Sequence, residues 1–439
     1  MISTILQVIV VFGVIAIGSR YTGIGLGIWG GIGLFLLVTV FGLRPTSAPV
    51  DVLLIMIAVA TAASVMDAAG GVDYMVRIAE KIIRANPNRI VFVAPLVTWF
   101  FAFLAGTANI AQSLMPVIYE VSHGVGIRPE RAMTASGVAA QQALVASPVA
   151  ACTAALIGLF SQNGNDYGLQ TILMITLPAT LVAVIVTSAV MLRYGKDLKD
   201  DPIYQEKLKT GVIKPVKAQT ERKPLPARAG FAAMIFILCV AGVVLTGIFP
   251  ELRTPADGGK PIGMGSFLQI GMFVASGLIL IVCRPKLNNA ISSPIMRAGM
   301  TAVICVFGVA WMSDTFISAH KAMWMGEISD VLKQLPWLFA FVLFFGSMLL
   351  NSQAATVRAL MPLGFALGLP APTMLGLYPA VNGTSFLPTS GVVVSTMAFD
   401  QSGTTHIGKY VINHSFLVPC ITATTTCTIV AFFLQSVLF

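Results

Sequence analysis

The sequence predicts an all-α polytopic membrane protein, arranged as an inverted repeat of two six-unit halves, each with a re-entrant hairpin and a broken helix. Composition is the first ground: 56% of the 439 residues are hydrophobic, 10% are charged and the mean hydropathy is +0.86, whereas soluble proteins carry roughly 25% charged residues. The second is a pair of interrupted apolar segments. Residues 335–350 read LPWLFAFVLFFGSMLL, followed by the polar Asn351-Ser352-Gln353-Ala354-Ala355-Thr356 and then VRALMPLGFALGL. A helix needs about 20 residues to cross a ~30 Å hydrocarbon core, and neither arm reaches that length. Irregular backbone at membrane depth is tolerated only inside protein or along a cavity, so this is a hairpin whose tip lies near the membrane middle. Residues 91–105, the tip Gly106-Thr107-Ala108-Asn109 and residues 110–122 repeat the pattern. The third ground is an offset. Leu114-Met115-Pro116 recurs 246 residues later as Leu360-Met361-Pro362, and Met66 recurs at the same offset as Met312, an internal repeat.

The units follow in order. Apolar segments fall at about 2–17, 24–42 and 50–69, then come hairpin 91–122, segment 132–160 and segment 169–193. The second half runs 229–249, 263–283 and 297–317, then hairpin 336–368, segment 372–399 and segment 411–438. Residues 2–17 have no basic stretch before them and no small-residue cleavage pattern, so they read as a retained helix rather than a signal peptide. Gly23, Gly25, Gly27, Gly30, Gly31 and Gly33 sit in an apolar helix with no strand before them; they signify close helix packing, not a nucleotide loop. Residues 70–89 form an interfacial arm, with Val72, Met75, Val76, Ala79, Ile82 and Ile83 opposite Arg77, Glu80, Lys81 and Arg84. Residues 318–335 are its counterpart. Segments 132–160 and 372–399 are long, and each holds a proline in a polar break, Ala146-Ser147-Pro148 and Leu387-Pro388-Thr389-Ser390-Gly391. Proline removes a donor and clashes with the preceding turn, so both are broken helices.

Charge sets the orientation. The net charge of +9 invites a nucleic-acid reading, but Arg193, Lys196, Lys199, Lys207, Lys209, Lys214, Lys217, Arg222, Lys223 and Arg228 lie in or beside the single loop 194–228, which the positive-inside rule makes cytoplasmic. No nucleic-acid partner is implied. Counting spans outward from that loop puts 72–89 inside and 318–335 outside, so the repeat is inverted and both termini are periplasmic in a Gram-negative host.

Broken helices and hairpin tips expose half-helix ends, whose N-termini carry unpaired N–H groups and partial positive charge suited to carboxylates. Around them cluster Thr107, Asn109, Gln112, Ser113, Gln141, Gln142, Ser147, Asn351, Ser352, Gln353, Thr356, Asn382, Thr384, Ser385, Thr389 and Ser390. Any one of these can instead satisfy backbone or pack between helices. Arg358 is the only Lys or Arg between Lys333 and Lys409; as an intramembrane guanidinium it is a candidate partner for a carboxylate, with internal pairing as the alternative. Asp314 is a candidate proton or cation site, or else a boundary residue, and Asp67 has the same two readings. Glu120 is placed at the inner interface. The six cysteines lack a Cys-x-x-Cys pattern and read as small core residues. There is no His-Glu-x-x-His helix and no P-loop, so neither a metal, a cofactor nor ATP drive is expected.

The motifs Gly106-Thr107-Ala108-Asn109-Ile110, Ala146-Ser147-Pro148, Gly308-Val309-Ala310-Trp311, Asp314-Thr315-Phe316, Asn351 to Thr356 with Ala359-Leu360-Met361-Pro362, Gly403-Thr404-Thr405 with Ile407-Gly408-Lys409, and Asp201-Pro202-Ile203-Tyr204 resemble those of the Dcu-type anaerobic C4-dicarboxylate transporters, A/B branch. The resemblance runs along essentially the whole chain. It implies a non-enzymatic secondary antiporter in the bacterial inner membrane that exchanges fumarate, malate or aspartate for succinate. It also implies membership of the wider ion-transporter superfamily of inverted-repeat, usually dimeric elevators, and some of the family are thought to report to a membrane sensor kinase. On this reading 1–69 and 229–317 form a scaffold, while 90–193 and 336–439 move. The substrate site would comprise Thr107, Asn109, Ser147, Pro148, Asn351, Ser352, Gln353, Thr356, Arg358, Pro388, Thr389 and Ser390. The alternatives are a sodium- or proton-coupled symporter of the same fold, or an intramembrane enzyme, for which no deep catalytic Asp or His pair is evident.

Overall fold

A computed structural model of the chain describes residues 2–18, 21, 24–165, 167–210, 224–257, 259, 261–324, 327–388, 390–408 and 413–439. These residues are overwhelmingly helical, as a hydrocarbon environment requires of a chain without a closed barrel. No strand is formed among them, and the β structure is one isolated bridge, Ile407 to His414. Among the described residues, eight helices or helix pairs are long and apolar enough to cross a membrane.

The first half opens with α1 (Ile2–Gly18), α2 (Gly25–Thr39) and α3 (Val50–Ala68). Gly70, at φ +83°, ends α3 and lets α4 (Gly71–Ala85) leave it with its own amphipathic face. The α4 charge Arg84 grips Glu120 through two hydrogen bonds of 3.0 and 2.7 Å. The hairpin is α5 (Ile90–Ala105) and α6 (Asn109–Gly124). At 1.5 Å per residue each arm is about 24 Å long, short of the bilayer core. Then come α7 (Pro129–Ala146), a break at 147–150, α8 (Ala151–Gln162) and α9 (Leu169–Met191). The short α10 (Pro202–Lys209) follows; residues 211–223 of the basic loop lie outside the described residues.

The second half repeats this order with differences. After α11 (Ala229–Ile248), α12 (Met264–Cys283) and α13 (Leu287–Ile291), α14 runs from Pro294 to Trp324 without interruption, and α15 (Glu327–Gln334) is only a stub. The separate arm expected from residue 318 therefore starts later. Where the first half has Gly70-Gly71, the second has Phe316-Ile317, and no glycine or proline stops the helix there. The second hairpin is α16 (Leu338–Leu350) and α17 (Gln353–Ala366). Its tip shrinks to Asn351 and Ser352, because Ser352 caps the helix by accepting from Ala355 N at 3.2 Å. The expected broken helix 372–399 is in three pieces: α18 (Ala371–Leu377), a 3₁₀ stretch Tyr378–Ser385 and α19 (Gly391–Phe399). The interruption comes early because Asn382 is non-helical and Ser347 Oγ takes the Gly383 N–H at 2.9 Å. The last helix, α20 (Leu417–Leu438), begins six residues later than the segment from 411. Residues 413–415 are instead drawn into a turn in which His406 and Ser415 bond each other, while Asp400 accepts from Thr405 N at 2.6 Å.

Small residues bring helices together where apolar transfer contributes little. Gly30 of α2 lies against Gly308 of α14, backbone to backbone, so that a Cβ there would sit 2.5 Å from the Gly308 carbonyl carbon. Beside it, Met312 and Phe316 of α14 pack with Leu350, Ala355 and Ala359 of the second hairpin.

Candidate functional site

The interruptions place four helix starts around one cavity of about 280 Å³. They are the first residues of α6 (Ala108, Asn109), α8 (Ala150, Ala151), α17 (Ser352, Gln353) and α19 (Ser390, Gly391). The chain reaches this arrangement by two left-handed residues, Gly106 at φ +65° and Asn351 at φ +47°, each ending the first arm of its hairpin. The initial N–H groups of a helix have no acceptor within it. Ser352 Oγ and Ser390 Oγ take only those of Ala355 and Val393. Among the described residues, no Asp, Glu, Lys, Arg or His lines the cavity. Its polarity comes from helix ends and neutral side chains, among them Thr384 Oγ1, which is buried without a hydrogen-bond partner. Ala298 and Ala302 of α14 close one wall. A smaller adjoining space of about 140 Å³ separates the tip of the first hairpin from Val59, Ala60 and Ala63 of α3.

The helix ends are held by bonds between each hairpin and a break. Ser147 Oγ donates to Phe103 O of α5 at 2.7 Å. A Cβ on Gly106 would meet Val149 O at 2.7 Å, so tip and break are in direct contact. Behind the cavity, Gln353 Nε2 donates to Gln141 O at 2.9 Å and to Asn382 Oδ1; Asn382 Nδ2 donates to Gln142 Oε1 at 2.8 Å, and Gln142 Nε2 to Thr424 Oγ1 at 3.2 Å. With its amide donor engaged and its Oε1 accepting from Cys152 Sγ at 3.9 Å, the Gln353 side chain offers a carboxylate no donor.

Of the residues read from sequence, Thr107, Asn109, Asn351, Ser352, Gln353 and Ser390 line the cavity. Ser147, Pro148, Thr356 and Pro388 do not; Ser147 and Thr356 bond nearby carbonyls instead. Thr389 lies outside the described residues. Arg358 lies elsewhere. Its guanidinium is wholly buried away from the cavity, 3.4 Å from Asp314 Oδ2 and donating to Gln162 Oε1 at 3.0 Å. Asp314 is thus paired with that arginine in this arrangement, with its side chain 20% exposed. Gln112, Gln141 and Thr384 line the cavity, although sequence marked them only as polar residues near the breaks. Ala298 and Ala302 gave no signal, since an alanine contributes only shape. No group of three His, Cys, Asp or Glu suited to a metal occurs among the described residues.

Comparison with known proteins extends these observations. A family profile described as an anaerobic C4-dicarboxylate membrane transporter matches residues 3–439. "Anaerobic C4-dicarboxylate transporter DcuB" of Escherichia coli O6:H1 is 37% identical over 421 residues, covering 94% of this chain and 94% of the relative. "C4-dicarboxylate transporter DcuA" of Wolinella succinogenes is 36% identical over 419 residues, covering 95% and 96%. The solved structure of MtrF from Neisseria gonorrhoeae, presented as illuminating a class of antimetabolite efflux pumps, covers 92% of this chain and 84% of its own at a TM-score of 0.56 and 15% identity, a likeness of fold. On the whole-length family match and these identities, this multi-pass membrane chain belongs to the anaerobic C4-dicarboxylate membrane transporters.

Proposed function

We propose that the chain is a secondary antiporter that exchanges C4-dicarboxylates, fumarate, malate or aspartate inward and succinate outward, across the bacterial inner membrane by alternating access. The observation that carries this reading is the convergence of four helix N-termini on an uncharged cavity. Each helix start presents roughly half a positive charge, so four offset about the two negative charges of a dicarboxylate without any titratable side chain. An empty site then keeps a positive polarisation that a bound dianion neutralises. Crossing empty is slow and crossing loaded is fast, the condition for exchange.

The division into a scaffold (1–69, 229–317) and a moving part (90–193, 336–439), related by an inverted repeat and working as an elevator, belongs to the same proposal. It is supported by the position of the cavity between α14 on one side and the hairpin tips on the other. With the basic loop cytoplasmic, both termini are periplasmic. A homodimer and a membrane sensor kinase as partner rest on the family resemblance alone. The test is uptake of labelled succinate and aspartate into proteoliposomes. Uptake confined to vesicles preloaded with fumarate is expected; equal uptake into empty vesicles driven by a sodium or proton gradient would replace exchange with symport.

A further inference from the structure

We propose that the Arg358–Asp314 pair is a latch between the fixed and moving parts: it holds the state in which the cavity opens beside the first hairpin, and exchange requires it to part. The inference rests on the division into two parts proposed above. Arg358 is on α17 and is fully buried. One of its terminal nitrogens donates to Gln162 at the end of α8, which travels with α17; the other reaches Asp314 on α14, which stays behind. The guanidinium is thus tied on one side to what it moves with and on the other to what it leaves.

The geometry suits a contact that opens. The pair is single rather than bidentate, 3.4 Å long, and Arg358 Nε has no hydrogen-bond partner, so it falls short of the strongest guanidinium–carboxylate arrangement. The Asp314 side chain is 20% exposed, so water can take over the carboxylate as the arginine departs. Gln162 also lines a separate cavity of about 310 Å³ with Ser161 and Asn165. Neither charged residue lines the substrate cavity, so the pair acts on the position of the moving part, not on the dianion.

The experiment uses the full chain in proteoliposomes, with Ala298→Cys on the α14 wall of the cavity as reporter and the unsubstituted chain as control for the native cysteines. A membrane-impermeant maleimide is applied from the face carrying α10. Asp314→Asn is expected to lower reporter labelling about fivefold or more without slowing exchange, while fumarate-induced thermal stabilisation of the purified protein is unchanged. If that variant does not fold, Asp314→Glu, which shifts the carboxylate by one methylene, is read in the same way. The reciprocal swap Arg358→Asp with Asp314→Arg is expected to recover labelling. Labelling of folded Asp314→Asn at the wild-type rate overturns the latch, as does loss of fumarate stabilisation in that variant, which would make the pair part of the binding site. If wild-type protein shows no fumarate stabilisation at all, the transport reading fails; the labelling comparison, which needs no dianion, still decides the latch.

Discussion

Gly106→Ala tests whether contact between the first tip and the first break sets the binding site. Two costs follow from the structure. Gly106 has φ +65°, a left-handed conformation that costs an L side chain roughly 1–2 kcal/mol. The added Cβ would also lie 2.7 Å from Val149 O and 2.8 Å from Val149 Cγ2. One of those atoms is backbone and cannot rotate away, so the overlap adds the roughly 1–3 kcal/mol of an overpacked core. Gly42→Ala is the matched control, since Gly42 has φ +69° and no atom within 4 Å of its Cβ position; it bears the first cost alone. Relief of the Gly106 clash moves the start of α6 off the start of α8, and both face the cavity. The difference between the variants is therefore expected in function: a fumarate Kd and exchange rate worse by about 5- to 150-fold in Gly106→Ala, the equivalent of that second term. Titration calorimetry and counterflow on the two purified variants make the comparison. If Gly106→Ala binds and exchanges like Gly42→Ala, tip-to-break contact does not position the site.

Four further outcomes are expected. Ser352→Ala and Ser390→Ala each remove a side-chain cap at a helix start on the cavity; each is expected to cost about 1 kcal/mol and to weaken fumarate binding about fivefold, read as a reduced thermal shift. Arg128, nearly buried, pairs with Glu130 at 2.6 Å and Asp201 at 2.5 Å; Arg128→Ala takes the guanidinium from both carboxylates, so a loss of about 3–5 kcal/mol is expected as faster heat inactivation and earlier proteolysis around α10. His123, outside the candidate spans at the end of α6, lies 2.8 Å from Tyr204 Oη of α10, and burial, opposed by Asp400, holds its pKa below the ordinary value. The undocked imidazole then takes a proton more readily, so docking of α10 is complete above about pH 6.5 and weakens as pH falls below it; hydrogen exchange of residues 202–209 is expected to accelerate on acidification, and His123→Gln to abolish that dependence. Asp67→Asn, at the end of α3, is expected to raise labelling of the Ala298→Cys reporter by destabilising the opposite state, and unchanged labelling would sever the repeat argument developed below.

The hairpins were legible because two local signals coincide in them: arms too short to span, and small polar residues where a spanning helix would be apolar. The tip residues Thr107, Asn109, Asn351 and Ser352 followed directly, as did Ser390 at the second break. Arg358 shows where such reading stops. A lone intramembrane arginine is equally consistent with a ligand contact and with an internal ion pair, and the deciding fact, that Asp314 on α14 stands 3.4 Å away, is tertiary. Continuity of α14 past residue 318 was readable in retrospect from the absence of glycine or proline, but the repeat pointed the other way. Ala298 and Ala302 had no chemical signature at all.

The two hairpins are alike in sequence pattern yet differ in surroundings, and that difference bears on mechanism. The second packs through Ala355 and Ala359 against Met312 and Phe316 of α14, whereas an open space separates the first tip from Ala60 and Ala63 of α3. On the alternating-access reading proposed above, two arrangements exchange the roles of the hairpins, and each is asymmetric when seen alone. The offset carries Arg358 onto Gln112 and Asp314 onto Ala68, next to Asp67. Gln112 lines the cavity in this state, so closing that space would bring its amide toward the end of α3, as Arg358 now meets α14. The replacement is an uncharged amide, which makes a weaker contact with a carboxylate than a guanidinium does. On the proposed division into a fixed and a moving part, the state with the first hairpin open is then the more tightly held of the two, and a bound dianion has the most work to do in leaving it.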